Sequence, residues 1–207
     1  MDGNLKPTRY IRAIIFFLLY YCVLSLLYYV ATTFFYDKPK YINLIVFASL
    51  FIIELSFVFF LKLSIFNVIL KIRLVLIYFT VGILLGFLNS ILSKSQFIDF
   101  GSRINDDSFL PVFLSIVILS PIVEELYYRY FIFERVLKTT PLNISIIFSS
   151  VLFSLIHLKF DNMSLSLISL IKPFILGVIL CFVFKKHKNI VYCIVMHIAY
   201  NIIWFIT

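Results

Sequence analysis

The sequence predicts an all-α fold, a polytopic bundle of about seven transmembrane helices with its N-terminus in the cytoplasm. Composition and block length carry that reading. Of 207 residues, 63% are hydrophobic and 14% charged, against roughly 45–50% apolar and about 25% charged in soluble domains. The apolar residues fall in blocks of about 20, the length that crosses a hydrocarbon core of roughly 30 Å. Helices are the form that fits. An open sheet would leave backbone groups unpaired in lipid, and barrel strands would alternate polar and apolar residues, which these blocks do not.

The expected spans are 13–34, 42–61, 74–93, 108–137, 139–158, 163–184 and 190–206. The first follows Lys6, Arg9 and Arg12, but residues 13–36 run uncharged without a signal-peptide cleavage pattern, so it is read as a retained helix. The second carries Glu54, an intramembrane acid with no basic residue in its own helix; it is expected to face a cavity or pair with Lys172, and is given no catalytic role. The third is uncharged. The sixth holds Lys172 before Pro173, where a kink is expected and the lysine can snorkel. No repeat or long polar segment marks a second soluble domain, so residues 1–108 are read as helices without motifs and 109–207 as the core that carries them.

The net charge of +8 does not imply a nucleic-acid partner, because Lys and Arg sit in short connections. Eleven fall on alternate connections beginning with the N-terminus: Lys6, Arg9, Arg12, Lys62, Lys71, Arg73, Arg135, Lys138, Lys185, Lys186 and Lys188. Five fall on the other side: Lys38, Lys40, Lys94, Arg103 and Lys159. That asymmetry puts the N-terminus inside and, with seven spans, the C-terminus outside. Cys22, Cys181 and Cys193 lie in apolar runs, form no CxxC, and read as buried free thiols.

The fourth span contains the main polar cluster. Ser120-Pro121-Ile122-Val123-Glu124-Glu125-Leu126-Tyr127-Tyr128-Arg129 places two carboxylates and a guanidinium in an apolar helix, at a cost of roughly 2.5–3.5 kcal/mol per charge, and such charges default to function. Glu125 and Arg129 have the favourable i,i+4 order. Glu124 points about 100° away, so Glu125 is the expected partner of Arg129 and Glu124 is left for acid–base chemistry. The fifth span contributes His157. In an antiparallel hairpin of the fourth and fifth helices, Glu124 and His157 are equidistant from the Thr140-Pro141 junction and are expected to meet. The seventh places His197 and Asn201 at i and i+4, on one face.

One carboxylate, two histidines and an asparagine suit amide hydrolysis. Glu124 takes a proton from water with His157 holding it, while His197 and Asn201 donate to the oxyanion. The same side chains suit a Glu/His/His zinc site, although no HExxH is present.

Three motifs then carry a resemblance. Glu124-Glu125-Leu126-Tyr127-Tyr128-Arg129 matches EExxxR, Phe153 to His157 matches FxxxH, and His197 to Asn201 matches HxxxN. Over about residues 109–206, including Pro173-Phe174-Ile175-Leu176-Gly177, the chain resembles the CPBP family, the CAAX proteases and bacteriocin-processing enzymes also called Abi. Tyr130 stands where many members have Gly. The resemblance implies an intramembrane endopeptidase, related to the type II prenyl-protein proteases that remove the last three residues after a prenylated cysteine. It implies that Glu124 and His157 activate water, that His197 and Asn201 hold the oxyanion, and that Glu125 and Arg129 support the site. No cofactor is required in that glutamate-type mechanism, with a divalent metal such as zinc as the alternative. The implied partners are the lipid bilayer and a membrane-associated or lipidated peptide or protein, and the expected location is a multi-pass position in a bacterial cell membrane. The competing readings are a non-catalytic bacteriocin self-immunity or scaffold protein and, with no inverted repeat to support it, a transporter.

Overall fold

The computed structural model describes residues 8–38, 41–60, 70–92, 109–138, 140–158 and 170–207. Among them are seven helices and no strand. They are α1 (Thr8–Phe34), α2 (Ile42–Phe60), α3 (Ile72–Leu92), a composite α4 (Phe109–Val112, Phe113–Leu119, Ser120–Glu125 and Leu126–Val136), α5 (Leu142–Leu155), α6 (Ile171–His187) and α7 (Ile190–Ile206). Each falls on one expected span. Tyr10–Phe34, Ile72–Leu92 and Phe109–Arg135 are long and apolar enough to cross a membrane, and Ile42–Ser56, Leu142–Leu155 and Ile190–Ile206 are shorter apolar helices. Residues 163–169, expected in the sixth span, and Lys6, Lys40, Lys62, Lys94, Arg103 and Lys159 lie outside the described residues.

Burial is reversed relative to a soluble protein. Leu26, Phe34, Ile72, Leu84 and Ile91 are exposed, whereas Glu124, Glu125, Arg129, His197, Ser149 and Ser150 are buried. Apolar side chains facing outward along helices of this length are suited to lipid, and the chain is an integral membrane protein. One thiol departs from expectation: Cys181 and Cys193 are buried, but Cys22 is exposed on the apolar surface of α1, where a weakly polar thiol meets little penalty.

The helices gather into two compact units, residues 24–125 with 189–207 and residues 1–23 with 126–188. The motif-bearing stretch contributes to both. In the first unit α3 lies close along α7 because Gly82 and Gly86, one turn apart, remove the side chains that would separate them. A Cβ on Gly82 would come within 2.8 Å of Ala199 Cβ, and one on Gly86 within 2.6 Å of Ile203 Cβ. Small residues at such spacing let membrane helices approach closely. Asn189 caps α7 by accepting from the Val191 N–H at 2.9 Å, and α2 packs against the first half of α4.

In the second unit the start of α1 packs on the second half of α4. Tyr20 stacks on Tyr127 at 4.1 Å between centroids, and the Tyr127 hydroxyl donates to the Phe16 carbonyl at 2.6 Å. Tyr128, Ile132, Leu152 and Phe153 form the core. Gly177 of α6 lies against Ser150 and Phe153 of α5, and the exposed Lys188 ammonium pairs with Glu134 at 2.6 Å.

α4 is not a regular α-helix. Phe113–Leu119 and Leu126–Val136 are π-wound, with the α-helical turn Ser120–Glu125 between them. The wider i→i+5 bonding shows directly: the Ser120 N–H reaches the Ser115 carbonyl and the Leu137 N–H reaches Ile132 at 3.0 Å. Pro121 accounts for the first segment, since it lacks an N–H and its ring displaces the carbonyl a turn before it.

Candidate active site

Glu124 is placed by its own helical turn. Ser120, four residues earlier, donates its hydroxyl to Glu124 Oε1, a contact that fixes the carboxylate. Glu124 Oε2 is buried without a hydrogen-bond partner among the described residues and lies 3.9 Å from His197 Nε2. That gap is too long for a direct hydrogen bond and suits one bridging water.

His197 stands between both carboxylates. Its Nδ1–H donates to Glu125 Oε1 at 2.9 Å, which fixes the ring orientation and directs Nε2 to Glu124. Glu125 is fully buried. The α-helical register ends at Glu125, where π winding begins. In the structure Glu125 is the acceptor that orients His197.

Asn201, one turn beyond His197, donates from Nδ2 to the Ile116 carbonyl at 3.0 Å. The reason lies in α4. An α-helical partner for Ile116 would be the Ser120 N–H, but that group is given to Ser115; a π-helical partner would be residue 121, which is proline and has no N–H. Asn201 serves the carbonyl left over. An amide has two N–H groups, so a second donor remains to Asn201.

The other motif residues lie in the second unit. Phe153 organises them: the Arg129 guanidinium sits 4.3 Å above its ring and the His157 ring meets its edge at 5.3 Å. Arg129 is fully buried. His157 is not inside a helical span as expected, because α5 ends at Leu155 and His157 occupies the turn after it, exposed, with its N–H on the Ser154 carbonyl at 2.9 Å. Its Nδ1 lies 3.2 Å from the Phe153 carbonyl. A carbonyl only accepts, so Nδ1 carries the hydrogen and Nε2 is the basic nitrogen. The described turn around Thr140 matches expectation, with the Thr140 N–H on Leu137 at 2.9 Å.

Among the described residues no three His, Cys, Asp or Glu side chains are grouped as metal ligands would be.

Two residues of the unit that holds Glu124 have no role in the sequence-based site. Ser120 stood in the motif segment without a role, although a Ser–Glu pair at i,i+4 beside a proline signals a held carboxylate. Glu54 was recognised as an intramembrane acid and given no catalytic role. Both of its carboxylate oxygens are buried without a hydrogen-bond partner among the described residues. It belongs to the unit of Glu124, whereas Lys172, its expected alternative partner, belongs to the other.

Fold and site together define a helical membrane protein with a buried glutamate–histidine constellation. Residues 106–203 match the family model described as type II CAAX prenyl endopeptidase Rce1-like. All three motifs lie within that match, and this stretch, a little under half of the chain, is similar to the type II CAAX prenyl endopeptidases. No curated protein and no solved structure matches the chain.

Proposed function

We propose that the protein hydrolyses a peptide bond in a membrane-associated or lipidated peptide, using water activated by Glu124. The observation that carries this reading is the Glu124 carboxylate, held by Ser120 on one oxygen with the other facing His197 Nε2 at 3.9 Å.

Water bound at Oε2 gives a proton to Glu124 as its oxygen attacks the scissile carbonyl carbon. The carbonyl oxygen becomes an oxyanion, for which the second Asn201 N–H is the available donor, since the Nδ1–H of His197 is given to Glu125. Collapse breaks the C–N bond, and the leaving nitrogen takes the proton held by Glu124. The motif assigns His157 to water activation as well; with Nδ1 bound to Phe153, its Nε2 accepts a proton without a change of tautomer. The buried setting of Glu124 and His197 strengthens their interactions relative to water.

The test compares newly generated peptide termini in cells carrying wild type or Glu124→Gln at equal membrane abundance. Termini that appear only with wild type are expected, and they identify both substrate and cleavage position. If the termini are identical and the cellular phenotype persists in the variant, binding or immunity replaces proteolysis as the function.

A further inference from the structure

We propose that Glu54 is a positioning residue of the active site, whose protonated carboxyl donates to Glu124 Oε2, directly or through the attacking water. The inference rests on the proteolytic reading for its purpose and on separate observations for its geometry. Glu54 lies on α2, which packs along the Phe113–Leu119 and Ser120–Glu125 segments of α4. Glu54 and Glu124 lie within electrostatic reach of one another. The titratable groups on that face of α4 are Glu124 and Glu125, and His197 reaches both from α7.

Counting donors and acceptors leads to the proton. Three carboxylate oxygens, both of Glu54 and Oε2 of Glu124, are buried without a hydrogen-bond partner among the described residues. Two donors of this unit are committed elsewhere: the Ser120 hydroxyl to Glu124 Oε1 and the His197 Nδ1–H to Glu125. Carboxylates only accept, so two ionised groups here would repel and remain unsatisfied at a cost of several kcal/mol. One proton on one carboxyl converts an acceptor into a donor and resolves both faults, as in other paired-carboxylate sites.

The proton belongs on Glu54, because Glu124 has the Ser120 hydroxyl as a donor and neither oxygen of Glu54 has one among the described residues. Neutral Glu54 then holds water against Glu124 and leaves Glu124 as the base. The balance is that of simple hydrolysis: water loses one proton to Glu124 and forms the O–C bond, the C–N bond breaks, and the amine takes the proton from Glu124. Glu54 keeps its proton throughout.

Glu54→Gln, Glu54→Leu and Glu54→Asp test this in lipid nanodiscs. A neutral amide donates as a neutral carboxyl does, so Glu54→Gln should cleave the substrate within about threefold of wild type. Glu54→Leu should lose about ten- to a hundredfold, the worth of a hydrogen bond to a charged group, and Glu54→Asp should recover part of that loss. Because an apolar side chain replaces a buried acid, Glu54→Leu should be at least as heat-stable as wild type. Infrared spectroscopy provides a readout independent of cleavage: a protonated-carboxyl stretch should vanish in Glu54→Gln and shift in Glu124→Gln. The proposal is overturned if Glu54→Leu cleaves at the wild-type rate, if Glu54→Gln is inactive, or if no protonated-carboxyl band depends on Glu54. If wild type cleaves nothing, the proteolytic reading falls and the infrared band alone decides whether the proton is shared.

Discussion

Two adjacent glutamates in one apolar segment divide their work through their neighbours. Glu125 accepts the Nδ1–H of His197, and Glu124 meets the other ring nitrogen at 3.9 Å with Ser120 steadying its far oxygen. A serine hydroxyl in this position holds the carboxylate in one rotamer, which a general base requires. Ser120→Ala is therefore expected to lower kcat/KM by about ten- to a hundredfold with little change in Tm, and Ser120→Thr, which keeps the hydroxyl, to restore most of it. Unchanged kcat/KM in Ser120→Ala would show that the contact does not serve catalysis.

At the scale of elements, α4 exchanges regularity for placement of its acids. Each π-wound segment has a carbonyl served by a side chain from a neighbouring helix: Ile116 by Asn201 and Tyr128 by the buried Ser149 hydroxyl at 3.1 Å. Side chains re-satisfying freed backbone groups are what make irregular helix tolerable within a membrane. A double-mutant cycle checks the account of Ile116. Asn201→Ala should cost about 1–3 kcal/mol by orphaning the buried carbonyl. Pro121→Ala supplies the missing N–H, so in its background the same Asn201→Ala change should cost markedly less. Thermal denaturation in detergent measures the coupling, and strictly additive Tm changes would refute it.

Much of this architecture was legible in the chain, because hydrophobic blocks and their charged borders report directly on helices in lipid. The EExxxR, FxxxH and HxxxN spacings likewise placed every motif residue on its element, apart from His157, which lies two residues past the end of α5. What escaped depends on contacts between distant segments. The hydrogen bond between His197 and Glu125 joins residues 72 positions apart, which no spacing within one helix reports. Ser120 is an ordinary residue until the carboxylate one turn later is set beside it. Gly82 and Gly86 carried a readable signal, the small-xxx-small spacing of close helix pairs, and it locates the packing of α3 against the helix that carries His197.

For the whole molecule, the reversed distribution of polar and apolar side chains makes the bilayer part of the stability. A lysine introduced on the outer surface of a soluble protein is tolerated, but here its cost depends on depth alone. Leu84, in the middle of α3, and Ile91, near its end, are 62% and 72% exposed, so neither substitution removes much packing. Leu84→Lys brings an ammonium into the hydrocarbon, at about 2.5–3.5 kcal/mol on insertion scales. Ile91→Lys can snorkel to the interface and should cost far less. The fraction of chains inserted into membranes should therefore fall several-fold for Leu84→Lys and remain near wild type for Ile91→Lys. Equal insertion of the two would mean that α3 does not span the bilayer, and with it the placement of His197 on a helix packed against α3 within the membrane would fail.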